Sequence, residues 1–393
     1  MTNCTGREWR NQGRQSVNSS MTFRKTAESF LPGVRTLPRA YYVSPEVFAD
    51  EQERISGRLW NCAGRASSLR QPGDYLVRDI AGESILLVRG VDGCLRAFFN
   101  VCRHRGTRLC SDAAGHVEGR IQCPYHAWTY ALDGQLVGAP HMQEVAGFAR
   151  DDYPLHEAAF AEWGGFVFVS IAPEPQLFAD WFAPVVTRLD RFGLRALSTV
   201  HSVEYDVHAN WKLVFQNYCE CLHCPIIHPG LSERIPYQSG SNDLTEGPFL
   251  GGYMELTGGT ASVTRSGRLC GPFVGSGDDH RRAYYYSILP NLLLSIHPDY
   301  VNFYLVTPLA LDRTRIESEW LFAEGTNDVG DPNDAIAFWD EINRQDWNII
   351  ERSQQGIGST RYVPGPYSPR ESISAAWDRE YLRLMDREER QPS

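Results

Sequence analysis

Apolar residues in the first 170 positions come in short alternating runs separated by turn-forming residues. Residues 82–101, GESILLVRGVDGCLRAFFNV, are two apolar runs around Asp92-Gly93, and WTYALDGQLVG (128–138) repeats the device around Asp133-Gly134. An Asp-Gly pair between such runs predicts a tight hairpin, because glycine takes the positive φ that the turn needs. GGFVFVSIA (164–172) predicts a further strand. EPQLFADWFAPVVTRLDRF (174–192) has helical spacing, residues 199–210 alternate again, and NWKLVFQNYCECLH (210–223) reads as a helix. Strand patterns return over 250–325 in YYYSILPNLLLSI, YVNFYLVTPLA and RIESEWLFAEG. DPNDAIAFWDEINRQDWNIIERSQQGIG then predicts a long helix over 332–355, with Asp331 as its cap, Pro332 in its first turn and Gly356 closing it. ESISAAWDREYLRLMDREER predicts a last, charged amphipathic helix. The pattern gives an α+β chain in three parts: a tail and lead-in over 1–39, a small β domain over 40–155, and over 156–393 an antiparallel sheet with helices against it.

Composition narrows the class. The chain has 393 residues, 42% of them hydrophobic, which is enough for real cores. It holds no run of about 18 apolar residues, so no membrane span is expected. A net charge of -10 with dispersed basic residues argues against nucleic acid. The first twenty residues are polar and lack the apolar stretch of a secretory signal, and read as a disordered tail. Ten cysteines are too sparse for a disulfide scaffold. A reducing cytoplasm is therefore expected, where clustered Cys and His mean metal or catalysis rather than cross-links.

One such cluster is Cys102-x-His104, followed after eighteen residues by Cys123-x2-His126. Two Cys and two His fit a structural zinc ion or a Rieske [2Fe–2S] centre, with both thiolates on one iron and both imidazoles on the other. The spacing favours the second. Each loop mixes one Cys with one His, so two loops can approach a binuclear cluster from opposite sides and give one ligand to each iron. Gly106 and Pro124 would let the backbone turn tightly around the sulfides.

The other cluster is NYCECLHCPIIHPG, residues 217–230. Glu220 and His223, three apart, share one helical face. His228 lies a further five on, about 140° round an ideal helix. Pro225 disfavours helix in the residue before it, so the helix should end near Cys224 and let His228 swing back toward His223. Two His and a carboxylate with open positions make the facial triad of non-haem Fe(II) oxygen activation. A remote carboxylate is available: the stripe Ala335, Phe338, Trp339, Ile342 and Ile349 contains Asp346, either a ligand or half of a buried salt bridge. Cys219, Cys221 and Cys224 splay over different faces of such a helix and read as small buried hydrophobes. A cationic substrate would want an aromatic cage, for which Tyr218, Tyr284, Tyr285 and Tyr286 are candidates, with Tyr284 and Tyr286 sharing one face of a strand. No G-x-G-x-x-G fingerprint appears, so no bound flavin or NAD is expected.

With CRHRGTRLC, CPYHAWTY and NWKLVFQNYCECLHCPIIHPG on the page, the chain resembles, over about residues 35–360, the oxygenase α subunit of the Rieske non-haem iron ring-hydroxylating and demethylating oxygenases. The resemblance implies that Cys102, His104, Cys123 and His126 hold the cluster, and that His223, His228 and Asp346 hold a mononuclear Fe(II). It implies that Glu220 bridges a Rieske histidine and an iron histidine across a subunit boundary. Glu at that position, with the surrounding wording, is similar to the branch acting on quaternary ammonium compounds such as carnitine, glycine betaine, choline and stachydrine. Gln216 departs from that branch, where an acidic residue is frequent. The resemblance further implies a Rieske β domain with a helix-grip catalytic domain, a homotrimer, O2 as co-substrate, and a separate flavin and iron–sulfur reductase supplying electrons from NAD(P)H. Hydroxylation of an aromatic acid or ring by the same machinery, and a non-catalytic electron-transfer protein, are the competing expectations.

Overall fold

The structure is a computed structural model and describes residues 22–386; the polar stretch read as a tail lies, through residue 21, outside them. The described chain forms two compact units, one of residues 56–181 and one of residues 22–55 with 182–386.

The first unit is built from three small antiparallel sheets. Strands Leu95–Phe99, Glu83–Arg89, Asp74–Ile80 and Ala114–His116 form one in that order. Arg120–Gln122, Thr129–Ala131 and Leu136–Gly138 form the second, and Ala159–Trp163, Phe166–Ser170 and Asn61–Arg65 the third. Both Asp-Gly hairpins form. Gly93 and Gly134 have φ of 77° and 88°, and a Cβ on Gly134 would come within 2.6 Å of the Phe98 ring. The unit runs past the expected end at 155, because Phe166–Ser170 pairs with Asn61–Arg65 near its start.

Residues 40–55, expected in the first unit, belong to the second. Buried Glu51 explains this. Its carboxylate accepts hydrogen bonds from Lys212 Nζ (2.5 Å), Trp211 Nε1 (2.8 Å) and the Tyr381 hydroxyl (2.5 Å), all from the second unit. A buried carboxylate without such partners would cost several kcal/mol, so distant residues decide where this segment sits.

The second unit is an eight-stranded antiparallel sheet in the order Arg24–Lys25, Ser241–Leu244, Phe249–Glu255, Arg282–Ile288, Leu292–Ile296, Val301–Ala310, Arg313–Phe322, Ser198–Val207. The long helix Asn333–Ile357 lies against it. Its apolar stripe buries Ala335, Phe338, Trp339 and Ile342 in a core shared with Tyr300, Trp320 and Phe322. Polar pins set its height on the sheet: the Tyr304 hydroxyl donates to Asn343 Oδ1 (2.9 Å), and that of Tyr205 donates to Asp340 Oδ1 (2.7 Å).

The helix expected to run to Cys224 stops earlier. It spans Trp211–Tyr218, capped at its start by the Asn210 side chain. Beyond it Glu220 turns its carboxylate onto the Leu222 backbone N–H, a local partner that competes with continued helix. Cys221 and Cys224 are joined by a disulfide across this turn, their Cα atoms 5.0 Å apart. The reading of these two as uncross-linked thiols on one helix is corrected accordingly: with the helix ended, residues three apart face each other.

Candidate metal centres

Two short helical turns follow the disulfide loop, Cys224–Ile227 and Pro229–Arg234, each with a proline at its start, where a missing N–H costs nothing. His228 sits between them at φ −129°, ψ 63°. This break brings His228 back toward His223, with ring centroids 5.3 Å apart. Asp346, from the long helix, completes the group. Among the described residues, His223, His228 and Asp346 offer ligand atoms that all lie within 4.8 Å of one another.

Their hydrogen bonds show which atoms face inward. His223 Nε2 and His228 Nε2 lie 3.3 and 2.8 Å from Asp346 Oδ1. Each Nδ1 is held on the outer side: His223 Nδ1 donates to Glu220 Oε1 (2.5 Å) and His228 Nδ1 to Gln345 Oε1 (2.6 Å). An acceptor at Nδ1 fixes the tautomer that leaves the Nε2 lone pair for a metal. Asn217 Nδ2 donates to Asp346 Oδ1 (3.2 Å). Burial works against the charged form of His223, but Asp346 and Glu220 outweigh it and push its pKa up to about 10. Burial likewise pushes the Asp346 carboxyl up, yet the two imidazoles hold it below the usual carboxylate range. The centre thus attracts positive charge, and its donor set suits a divalent iron. Gln345 and Asn217 were not singled out from sequence; their adjacency to Asp346 and Tyr218 is the only signal there.

The group borders a cavity of about 1070 Å³, open mouth included, with five tyrosines and two tryptophans among its lining residues. Tyr218, Tyr237, Tyr253, Tyr285, Tyr304 and Trp347 line it. Tyr218 is fixed by a hydroxyl contact with Ser295 Oγ at 2.9 Å. Of the three consecutive tyrosines, the middle one faces the cavity. Tyr284 and Tyr286 share the opposite face, where their hydroxyls donate to Asp279 and Asp243. Gly251 and Gly252 also line it, and a Cβ on either would meet backbone oxygen of a neighbouring strand at about 2 Å.

In the first unit, Cys102 and Cys123 are buried while His104 and His126 are half-exposed. Each loop turns through a left-handed residue, Gly106 at φ 76° and Ala127 at φ 57°. Backbone bonds close both turns: Gly106 N–H to Cys102 O (3.0 Å) and Ala127 N–H to Cys123 O (3.1 Å). The His104 and His126 rings lie 4.8 Å apart, and His104 stacks on Trp128. Buried His104 Nδ1 has no hydrogen-bond partner, and burial pushes the Cys102 thiol up. Both features fit a cationic cluster that takes the lone pair and stabilises the thiolate. The Tyr130 hydroxyl lies 3.4 Å from Cys102 Sγ.

Comparison with known proteins agrees with this geometry. The family described as Rieske [2Fe-2S] domain matches residues 59–149, and the one described as ring hydroxylating alpha subunit (catalytic domain) matches residues 194–387. The chain is 32% identical over 376 residues to the glycine betaine monooxygenase oxygenase subunit of Chromohalobacter salexigens, covering 86% of this chain and 82% of that one. It is 38% identical over 206 residues to the carnitine monooxygenase oxygenase subunit of Escherichia coli, covering 51% and 54%. A crystal structure of the quaternary ammonium Rieske monooxygenase CntA in complex with L-carnitine superposes with a TM-score of 0.72 at 26% identity, covering 92% of this chain and 97% of that one. Naphthalene 1,2-dioxygenase from Rhodococcus shares the fold, with a TM-score of 0.72 at 21% identity over 89% and 94% of the chains.

Proposed function

From the premise that the chain belongs to the Rieske-type ring-hydroxylating oxygenase α subunits, we propose that it oxidises a small quaternary ammonium compound, by hydroxylation or oxidative demethylation. The observation that carries this reading is the convergence of His223, His228 and Asp346 beside a cavity whose lining includes five tyrosines and two tryptophans. Aromatic faces attract a quaternary ammonium group that cannot donate hydrogen bonds.

The family's cofactors are a [2Fe–2S] cluster and a mononuclear iron. We assign Cys102, His104, Cys123 and His126 to the first and His223, His228 and Asp346 to the second. When bound, the cluster supplies electrons one at a time and the iron offers open positions for O2. The chain's own residues do the rest. Gln345 and Glu220 fix the imidazole tautomers, and the aromatic wall, Tyr218 included, orients substrate and excludes water. The electrons come from a separate NAD(P)H-dependent reductase, which suits a cytoplasmic location. Among the described residues no helix is long and apolar enough to cross a membrane.

A homotrimer, in which one protomer's cluster serves the next protomer's iron, belongs to the same proposal. Two features support it. The imidazole edge of the Cys/His loops is the outward one, with Tyr125 beside His126 58% exposed. Glu220 lies just before the helical turn Cys224–Ile227, whose Ile226 is 84% exposed. Glu220 would then link the partner's cluster to His223, and its proton would couple the two centres.

The test is O2 uptake with NADH and a generic reductase, over glycine betaine, carnitine, choline and a panel of aromatic acids. Uptake stimulated by a quaternary ammonium compound, with formaldehyde release marking demethylation, is expected. Stimulation by aromatic acids alone would replace this reading with ring hydroxylation. A protein that accepts electrons yet never takes up O2 would be an electron carrier.

A further inference from the structure

The charges on the cavity wall are unevenly placed. Glu220 and Asp346 lie at the metal group, and among the described residues that line the cavity Arg370 is the one Lys or Arg. Arg370 comes from the short turn Pro369–Glu371 that precedes the C-terminal helix. Its backbone is fixed, with its N–H donating to Ser368 Oγ (3.2 Å). The neighbouring carboxylate is committed elsewhere: Glu371 Oε2 accepts from Ser368 N–H (2.7 Å) in a capping box. The Arg370 guanidinium itself has no hydrogen bond or ion pair among the described residues. Arg370 thus lines the cavity as an exposed residue whose five N–H donors, set in a planar fork, have no acceptor among the described residues, and such a fork matches a carboxylate.

A solvated surface arginine would account for exposure alone. It would not account for the position, because a like charge on the wall disfavours a substrate that is only cationic. The combination of aromatic wall and free guanidinium suits a zwitterion, with its quaternary ammonium among the rings and its carboxylate toward Arg370. Resting on the function proposed above, we infer that Arg370 is a specificity-determining carboxylate subsite, so that the substrates are betaines rather than quaternary ammonium alcohols.

The experiment compares glycine betaine, carnitine and choline, each as substrate or as competitor, in the reconstituted holoenzyme and in Arg370→Gln, Arg370→Lys and Arg370→Glu. Cluster absorption confirms that each variant is assembled. The betaine-to-choline preference should fall about tenfold in Arg370→Gln, the scale of one charge-assisted hydrogen bond near the surface. It should fall further in Arg370→Glu and be largely kept in Arg370→Lys. Added salt should shrink the preference of the native enzyme but not that of Arg370→Gln, which a merely structural arginine would not produce. A preference within twofold of native in both Arg370→Gln and Arg370→Glu would overturn the inference and leave quaternary ammonium oxidation standing. Failure of the native enzyme to bind any of the three compounds would instead overturn the function on which it rests.

Discussion

Cys102 and His104 share one short loop, Cys123 and His126 another, and both belong to a unit of small sheets. His228 and Asp346, by contrast, are 118 residues apart and meet because a helix and a broken loop pack on the same sheet. The difference extends to what holds these ligands in place. In the catalytic unit each imidazole is already held from behind, His223 by Glu220 and His228 by Gln345. In the Rieske unit the backbone turns are closed but His104 Nδ1 is left without a partner. At one site the protein holds each imidazole by a side-chain acceptor; at the other it leaves a ring nitrogen free for the cluster. A mononuclear site with open positions needs that external support, since its ion leaves coordination unused. A closed cluster orders its own ligands.

The strongest way to break this comparison is at Glu220. Glu220→Gln keeps an oxygen for His223 Nδ1, so both centres should stay loaded, yet turnover should fall by about a thousandfold or more if the carboxylate carries the proton that links them. Turnover near native would remove Glu220 from the link.

The beds beneath the sites differ as well. The Rieske loops rest on Trp128, Phe148 and Tyr153, whereas the helix Trp211–Tyr218 packs on Trp377 and Tyr381 and on a buried carboxylate as well. Gln216 Nε2 and the Tyr367 hydroxyl both donate to Asp378, at 2.6 Å each. Burial raises Asp378 from 3.8 to about 7, against those two hydrogen bonds and Lys212. Between pH 4 and 7 the folded chain therefore keeps a proton that the unfolded chain has released, and stability declines as pH rises through that window. The decline should amount to about 2–4 kcal/mol, and Asp378→Asn should flatten it in urea unfolding followed by tryptophan fluorescence. An unchanged slope in the variant would assign the decline to other groups.

Gln345→Leu sharpens the comparison from the catalytic side. Losing the acceptor behind His228 should weaken iron binding by about 10–100-fold while the cluster spectrum stays native. Tyr130→Phe does so from the Rieske side with a smaller effect. Losing a hydroxyl beside Cys102 Sγ, worth about 0.5–1.5 kcal/mol, should lower the cluster potential by about 20–60 mV without altering iron content; voltammetry reads it.

The same contrast explains what could be seen in advance. The Asp-Gly hairpins and both Cys/His loops are local, so spacing alone could point to them. The long helix was legible from its apolar stripe, and Asp346 stood out as an acid within it. The end of the Trp211–Tyr218 helix was not legible, because it depends on the Glu220 carboxylate reaching the Leu222 N–H. Residues 40–55 were assigned to the wrong side because Glu51 finds its partners 160 to 330 residues away. The cavity face of the tyrosine run depended on sheet register, which alternation leaves undetermined between Tyr285 and its neighbours. Gln345 and Arg370 carry no motif; only the packed chain shows what they border.

The account stands on two independent iron centres in one polypeptide. Iron and acid-labile sulfide counted in the native protein and in His228→Ala test it most directly. The native chain should hold about three Fe and two sulfides, and the variant about two of each, with the Rieske EPR signal unchanged. Two Fe per native chain, or loss of the cluster along with the third iron in the variant, would contradict it.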